Sequence, residues 1–411
     1  MPSSTLLPPD NRPIDNKPVV ISPGDPKAIV SLQEYLIERA LEARASDLHI
    51  EPRLEHLRVR VRVDGWLHDL EALPTWLHPS LVARLKIMAG LDVTERRRPQ
   101  DGRSSTQHRT GAVDLRVSTL PTQHGEKVVI RLLPRSRRPL DLGQLGLDAR
   151  GQARIGSLVQ QPQGMILAAG PTGAGKTTTL YALLCRIDAV GRNIITLEEP
   201  IEYELPNVVQ VPVRRAIGFD FASALRAVLR QDPDVILLGE IRDEESAMIA
   251  VRAAITGHLV LSTVHTNSAL ESVGRLIELG VSGYLLASAL LGVISQRLVR
   301  RLCTGCRRPD NPPEKLRQVL SLPPAGNGAR YWGGSGCGDC RDGFIGRVGL
   351  FETLTFDGPM RRKLADDGNL LGVEAEAIES GQLQPLGEAA RSAVRSGRTS
   401  VEEAARVVRS I

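Results

Sequence analysis

Aromatic side chains are scarce in this 411-residue chain: three Trp, five Tyr and five Phe, 3% of the residues. So few rings leave little for successive bases to stack on, and no stretch interleaves arginine with aromatics, which argues against a nucleic-acid-binding surface. No run of about 20 apolar residues occurs, so no segment is expected to span a bilayer. The longest candidate, Tyr284 to Ile294, is interrupted by Ser288 and Gly292 and reads as a buried helix. The N-terminus lacks the charged start and apolar core of a secretory signal. Cysteine is limited to five residues, four of them in CxxC pairs, a pattern that suggests a metal site in a reducing cytoplasm rather than disulfides. The net charge of +5 is mild, favouring acidic surfaces without demanding nucleic acid.

What is present is ordinary globular material, 42% hydrophobic and 24% charged, with room for about two to three domains. One stretch organises it: Gly170-Pro171-Thr172-Gly173-Ala174-Gly175-Lys176-Thr177, followed by Thr178. The apolar run Met165 to Ala169 before it reads as a buried parallel strand. Leu180, Leu183, Leu184 and Ile187 after it lie at helical spacing. A strand feeding a glycine turn and then a helix aims backbone N–H groups and the positive helix end at one point. Gly173 and Gly175 let the backbone approach phosphate oxygens, Lys176 reaches the terminal phosphates, and the Thr177 hydroxyl can hold Mg²⁺. The stretch therefore predicts binding of a nucleoside triphosphate such as ATP.

Residues 1–27, rich in proline, read as a flexible arm. Ile29, Leu32, Leu36 and Ala40 mark an amphipathic helix. Asp47 to Glu51 alternates strictly and predicts a half-buried strand with a solvated polar face, a metal site being the other reading of Asp47, His49 and Glu51. Leu57 to Val63 alternates again, and Asp64-Gly65 supplies a hairpin turn. A helix over Pro79 to Ala89 and strands at 112–117 and 127–133 complete a small α+β domain, 28–134. Residues 135–145 read as a linker, leaving a core at 146–301, a cysteine module at 302–348 and a helical region at 349–411.

In the core, three more apolar strands end in chemistry-bearing residues: Asn193 to Leu197 before Glu198-Glu199-Pro200-Ile201-Glu202, Val235 to Leu238 before Gly239-Glu240, and Leu259 to Thr263 before Val264-His265-Thr266. In parallel α/β sheets ligands bind beyond the carboxyl ends of the strands. Triphosphate hydrolysis needs a divalent cation on the β and γ oxygens, a group to activate water, and cations to stabilise spreading charge. Glu240 and Glu202 are the candidates for metal coordination and water activation, with the choice of base left open. His265 is poised to sense the terminal phosphate. Cys303, Cys306, Cys337 and Cys340 form two CxxC knuckles able to enclose one Zn²⁺ with no open position. Cys185 reads as a buried apolar residue, and Ser400 with Glu403 as the capping box of the last helix.

These motifs resemble the type II secretion and type IV pilus assembly ATPase family. The resemblance is carried by residues 170–181, 198–203, 225–234, 239–243, 256–258 and 262–267, and by Ala45 to Pro52 and Arg98 to Arg103 in the preceding domain. It covers the chain from about residue 28 onward and makes the 46–51 strand a structural signature of the family. It implies an α/β protein with a RecA-like P-loop NTPase core, a smaller preceding α+β domain, a tetracysteine zinc module and a C-terminal helical region. It also implies a homo-hexameric, Mg-dependent ATP hydrolase at the cytoplasmic face of the inner membrane, working on secretion platform proteins to power pseudopilus assembly. Nucleotide contacts would come from Arg116 and Arg131 of the small domain and from Arg226 and Arg230 of the arginine-bearing helix. Glu199 stands where the family usually has aspartate. The separate N-terminal domain by which such ATPases commonly dock is expected to be missing, only the proline-rich arm standing before residue 28. The zinc module marks secretion and pilus-extension members, so pilus extension is the alternative function; a nucleic-acid-dependent motor is the reading from another class.

Overall fold

The computed structural model describes residues 26–109, 111–134, 140–326, 329–367 and 370–409. The arm read over 1–27 lies almost wholly outside them, as do residues 135–139 of the linker. The chain divides into two compact units, Met1–Arg137 and Arg138–Ile411.

The first unit is built on α1 (Pro26–Glu42), β1 (Asp47–Pro52), β2 (Leu57–Val63), β3 (Trp66–Leu73), α2 (His78–Met88), β4 (Gln100–His108), β5 (Gly111–Thr122) and β6 (Gly125–Pro134). The strands form one sheet in the order β3-β2-β1-β6-β5-β4, antiparallel at every junction. Leu57, Val59, Val61 and Val63 face inward, as the alternation requires, and pack with Leu32 and Leu36 of α1 and Leu81 and Leu85 of α2. Asp64 and Gly65 turn the β2–β3 hairpin with φ of 51° and 91°, the pair of positive angles that a two-residue turn uses to match strand twist.

One expectation fails here. The polar face of β1 is not solvated: Asp47, His49 and Glu51 are all buried. β1 is a central strand, and its neighbours carry long basic chains across it. Arg60 and Lys127 each place a nitrogen 2.8 Å from Glu51, and Arg131 bonds Asp47 at 3.1 Å.

The second unit opens with α3 (Leu142–Leu145) and α4 (Ala149–Leu158), within and after the expected linker. It continues through β7 (Gly164–Ala169), α5 (Lys176–Leu184), β8 (Ile194–Glu198), β9 (Val209–Pro212), α6 (Phe221–Val228), β10 (Val235–Leu238), α7 (Glu244–Ile255) and β11 (Leu259–Val264). Then follow α8 (Ala269–Glu278), α9 (Gly283–Ala289), β12 (Leu290–Leu302), β13 (Arg307–Asp310), α10 (Glu314–Val319), β14 (Tyr331–Gly334) and β15 (Phe344–Thr355). The chain ends with α11 (Gly358–Asp367), α12 (Leu370–Glu379), β16 (Leu383–Gln384), α13 (Leu386–Arg395) and α14 (Val401–Val408).

Eight strands form the main sheet, β16-β15-β12-β7-β11-β10-β8-β9, parallel from β12 to β9. Every residue of β7 is buried. Met165, Leu167 and Ala169 face one core, while Ile166 and Ala168 face another on the opposite side. A sheet covered on both faces reads as an unbroken apolar run. Truncating Leu167 to alanine would cost about 2–5 kcal/mol.

Tyr284 to Ile294 is not one buried helix. It is α9 followed directly by the start of β12, and Tyr284 is exposed. The apolar residues 290–294 belong to a strand buried between β7 and β15. Cys185 follows α5 and is exposed rather than buried. The stretch from 349 onward begins inside β15, and four helices follow. The Ser400 cap forms, its hydroxyl accepting from Glu403 N. The reciprocal half does not, because the Glu403 carboxylate turns to Arg300, accepting from its guanidinium at 2.8 Å.

Candidate functional site

Four strands of the parallel sheet deliver their C-terminal ends to one region. After β7 the chain turns sharply, with positive φ at Gly170 (143°), Gly173 (77°) and Gly175 (90°). At Gly170 a Cβ would lie 2.7 Å from the carbonyl oxygen of Gln296, so the loop is pressed against β12 and only glycine fits. Pro171, Thr172 and Gly173 are exposed, Ala174 and Lys176 are buried, and Thr177 and Thr178 open α5 partly exposed. A glycine-rich turn at a helix N-terminus presents N–H groups to an anion.

The Lys176 ammonium donates to the carbonyls of Gly170 at 2.7 Å and Pro171 at 3.3 Å and stands 3.4 Å from His265 Nδ1. Burial, opposed by Glu240 and reinforced by Arg297, lowers its pKa to about 8. His265 Nε2 in turn lies 3.6 Å from Glu240, whose other carboxylate oxygen is 2.5 Å from Arg242. Burial first, then Lys176, lowers the His265 pKa, with Glu240 working against both. Lys176, His265 and Glu240 therefore form one line across the ends of β7, β11 and β10.

Glu202 does not join it. It is exposed, and its tie to the site is a backbone hydrogen bond with Tyr181 of α5. The carboxylate anchored at the end of β8 is Glu198, buried and held by Tyr181, by Thr196 Oγ1 at 2.6 Å and by Gln210 at 3.1 Å. Glu199 pairs with Arg215 at 2.8 Å. Arg226 pairs with Glu245 at the start of α7, and Arg230 donates to the Arg226 carbonyl at 2.7 Å. Neither arginine touches Lys176, His265 or Glu240 among the contacts of the described residues.

In the first unit, Arg116 and Arg131 are cross-strand neighbours on β5 and β6. With Asp47, Asp101 and Arg103 they line a groove of about 450 Å³, a basic wall with two carboxylates set into it.

Sequence reasoning passed over Gln296 and Arg297. Both are buried on β12, just beyond the apolar stretch that ends at Ile294 and in a segment, Ser295 to Arg301, whose polar residues gave no sign of burial. Gln296 Nε2 donates to the Ala174 carbonyl of the loop at 2.5 Å.

The donor sets can be tested against the metals they imply. Glu240 and Thr177 offer hard oxygen ligands of the kind Mg²⁺ takes. Cys303, Cys306, Cys337 and Cys340 converge with all four sulfurs within 4.8 Å of one another. Three of the separations are 3.8, 3.5 and 3.5 Å, against an edge of about 3.8 Å for a tetrahedron with about 2.3 Å zinc–sulfur arms. Four thiols, with no other donor beside them among the described residues, suit a closed, structural Zn²⁺. Both knuckles sit at one end of the β13–β14 ribbon, where Arg307 pairs with Gly334, in the segment between β12 and β15.

Comparison with known proteins agrees with this geometry. The model of the family described as Type II/IV secretion system protein matches residues 24–406. Over 403 residues the chain is 44% identical to Type II secretion system protein HxcR of Pseudomonas aeruginosa, covering 97% of this chain and 82% of that protein. It is 41% identical over 384 residues to Type IV pilus assembly ATPase PilB of Myxococcus xanthus, covering 92% and 68% respectively. The X-ray structure of the Legionella pneumophila ATPase DotB superposes with a TM-score of 0.69 over 93% of this chain and 96% of that one, at 20% identity, a likeness of fold.

Proposed function

Because this chain belongs to the type II/IV secretion system protein family, we propose that it is a Mg-dependent ATP hydrolase that powers pseudopilus assembly in type II secretion. The observation that carries the reading is the line Lys176–His265–Glu240 at the mouth of a glycine loop. Residues 170–178 would cradle the phosphates. Lys176 would neutralise them, and Thr177 would hold Mg²⁺, which would supply charge neutralisation on the transferred phosphoryl group. Glu240 is the better placed base: it is itself part of the line, whereas Glu202 is exposed and does not join it.

Arg116 and Arg131, with Arg226 and Arg230, are proposed to reach the nucleotide across a domain or subunit boundary, coupling hydrolysis to motion of a homo-hexameric ring. Arg131 is largely exposed and held by one carboxylate, so it could be recruited by phosphate. Among the described residues no helix is long and apolar enough to cross a membrane. We place the protein in the cytoplasm, peripheral to the inner membrane and bound to the secretion platform. The likeness to PilB gives the second reading, a pilus-extension ATPase on the same chemistry.

Turnover of the full chain should appear with Mg²⁺ and vanish in chelator; hydrolysis at the same rate in chelator would overturn the assignment. Capture from inner-membrane extract with this chain as bait separates the two readings by whether a secretion or a pilus platform protein is retained.

A further inference from the structure

β12 does more than close the sheet. Its residues Ser295, Gln296 and Arg297 alternate across the strand and grip two different loops. On one side Gln296 Nε2 donates to the Ala174 carbonyl of the phosphate loop at 2.5 Å, and a Cβ on Gly175 would lie 3.0 Å from that nitrogen. On the other side Arg297 donates to Asn267, to the main-chain carbonyl at 2.8 Å and to Oδ1 at 3.1 Å. Ser295 Oγ adds a bond to the same carbonyl at 3.2 Å. Asn267 stands two residues after His265.

Further bonds fix the same loop from its far end. Asn267 N donates to Glu271 at 2.8 Å, and Ala269 N donates to Glu352 of β15 at 2.6 Å. Arg297 is 6% exposed and Gln296 1%. A buried guanidinium is retained only where its bonds repay desolvation, and Gln296 keeps a buried Oε1 with no partner. Apolar residues would fill both positions at less expense if the strand served packing alone.

We propose that Gln296 and Arg297 are positioning residues that set the phosphate loop and the His265 loop against each other, Gln296 acting on nucleotide affinity and Arg297 on turnover through His265. The inference rests on the reading of His265 as part of the hydrolytic site. Misplacing a reacting group by about 1 Å can cost on the order of a hundredfold in rate, so holding one loop relative to the other is a catalytic requirement.

The test separates binding from turnover in the full-length protein, with a fluorescent ATP analogue for Kd and steady-state hydrolysis for kcat. Arg297→Gln should lower kcat by roughly tenfold or more with Kd within about threefold of the parent. Gln296→Ala should do the reverse, raising Kd by roughly tenfold with saturated kcat within about threefold. Arg297→Lys, a cation with a single-point donor, should recover part of the lost kcat. Should Arg297→Gln fail to fold, Asn267→Ala removes one of its acceptors and should lower kcat in the same direction. Equal losses of Kd and kcat in both variants, or no loss in either, would overturn the proposal. His265→Ala is the control. If it loses turnover while Arg297→Gln does not, this inference alone falls. If His265→Ala turns over at the parent rate, the reading of the site falls and takes the inference with it.

Discussion

Lys176 Nζ stands 3.4 Å from His265 Nδ1, and that contact selects the state of the imidazole. An ammonium can only donate, so Nδ1 accepts and the ring proton sits on Nε2, facing Glu240 at 3.6 Å. The groups around the ring are Lys176, Glu240 and Arg242; burial and the two cations hold its pKa below 6.5 against the pull of Glu240. The neutral ring is therefore favoured over the charged one, and protonation on acidification would break the contact with Lys176. The kcat–pH profile should show an acid limb below the ordinary histidine value. His265→Asn keeps a donor and an acceptor without titrating, so it should lose that limb while retaining measurable turnover. An unchanged limb would assign the titration elsewhere.

Lys176 gives a prediction at the other end of the scale. Its pKa is lowered to about 8, so above that pH the free protein increasingly presents a neutral amine. Binding a triphosphate then requires proton uptake, and ATP affinity should fall by up to about tenfold per pH unit above pH 8. Fluorescence titrations from neutral pH upward measure this. A flat Kd through the alkaline range would mean that Lys176 stays charged.

Glu51 links pH to stability in the first unit. Burial pushes its pKa up, but the bonds from Arg60 and Lys127 prevail and bring it to about 2 from a model-peptide value of 4.5. A depressed carboxyl stabilises the fold above its unfolded pKa, and that contribution is lost as pH falls from 4.5 to about 2. Glu51→Gln should destabilise this unit by roughly 2–3 kcal/mol at pH 7, with the difference shrinking through that acid window. Denaturant melts at paired pH values check it. A pH-independent difference would point to packing instead.

The tetracysteine cluster should hold about one zinc per purified chain. Its ribbon shares a core with the last helices, where Tyr331 and Leu320 pack with Ala390, Val394 and Val401. Metal loss should therefore loosen α13 and α14 as well as the knuckles. Elemental analysis gives the stoichiometry, and hydrogen exchange after chelation gives the spread. Loss of protection confined to the knuckles would contradict the coupling.

Much of this was legible from residue order. The glycine loop, the strands ending at Leu238 and near Leu197 and Val264, and the CxxC pairs are local patterns whose spacing dictates their geometry. What escaped was set by distant parts of the chain. Nothing local says that Asp47, His49 and Glu51 are roofed by basic chains from β2 and β6, because an alternating strand looks the same at a sheet edge and at its centre. Glu403 matched a capping pattern, yet Arg300, some hundred residues earlier, took its carboxylate. The stretch 284–294 held a helix end and a strand start with no breaker between them. Gln296 and Arg297 were missed because their partners, Ala174 and Asn267, are neighbours only once β12 lies beside β7.

The central claim is that Glu240 at the end of β10 activates the attack on a triphosphate held by Lys176. Single-turnover hydrolysis by Glu240→Gln, with nucleotide affinity measured on the same preparation, tests it directly. The account predicts ATP bound with near-parent affinity and cleaved at least about a hundredfold more slowly; cleavage at the parent rate would contradict it.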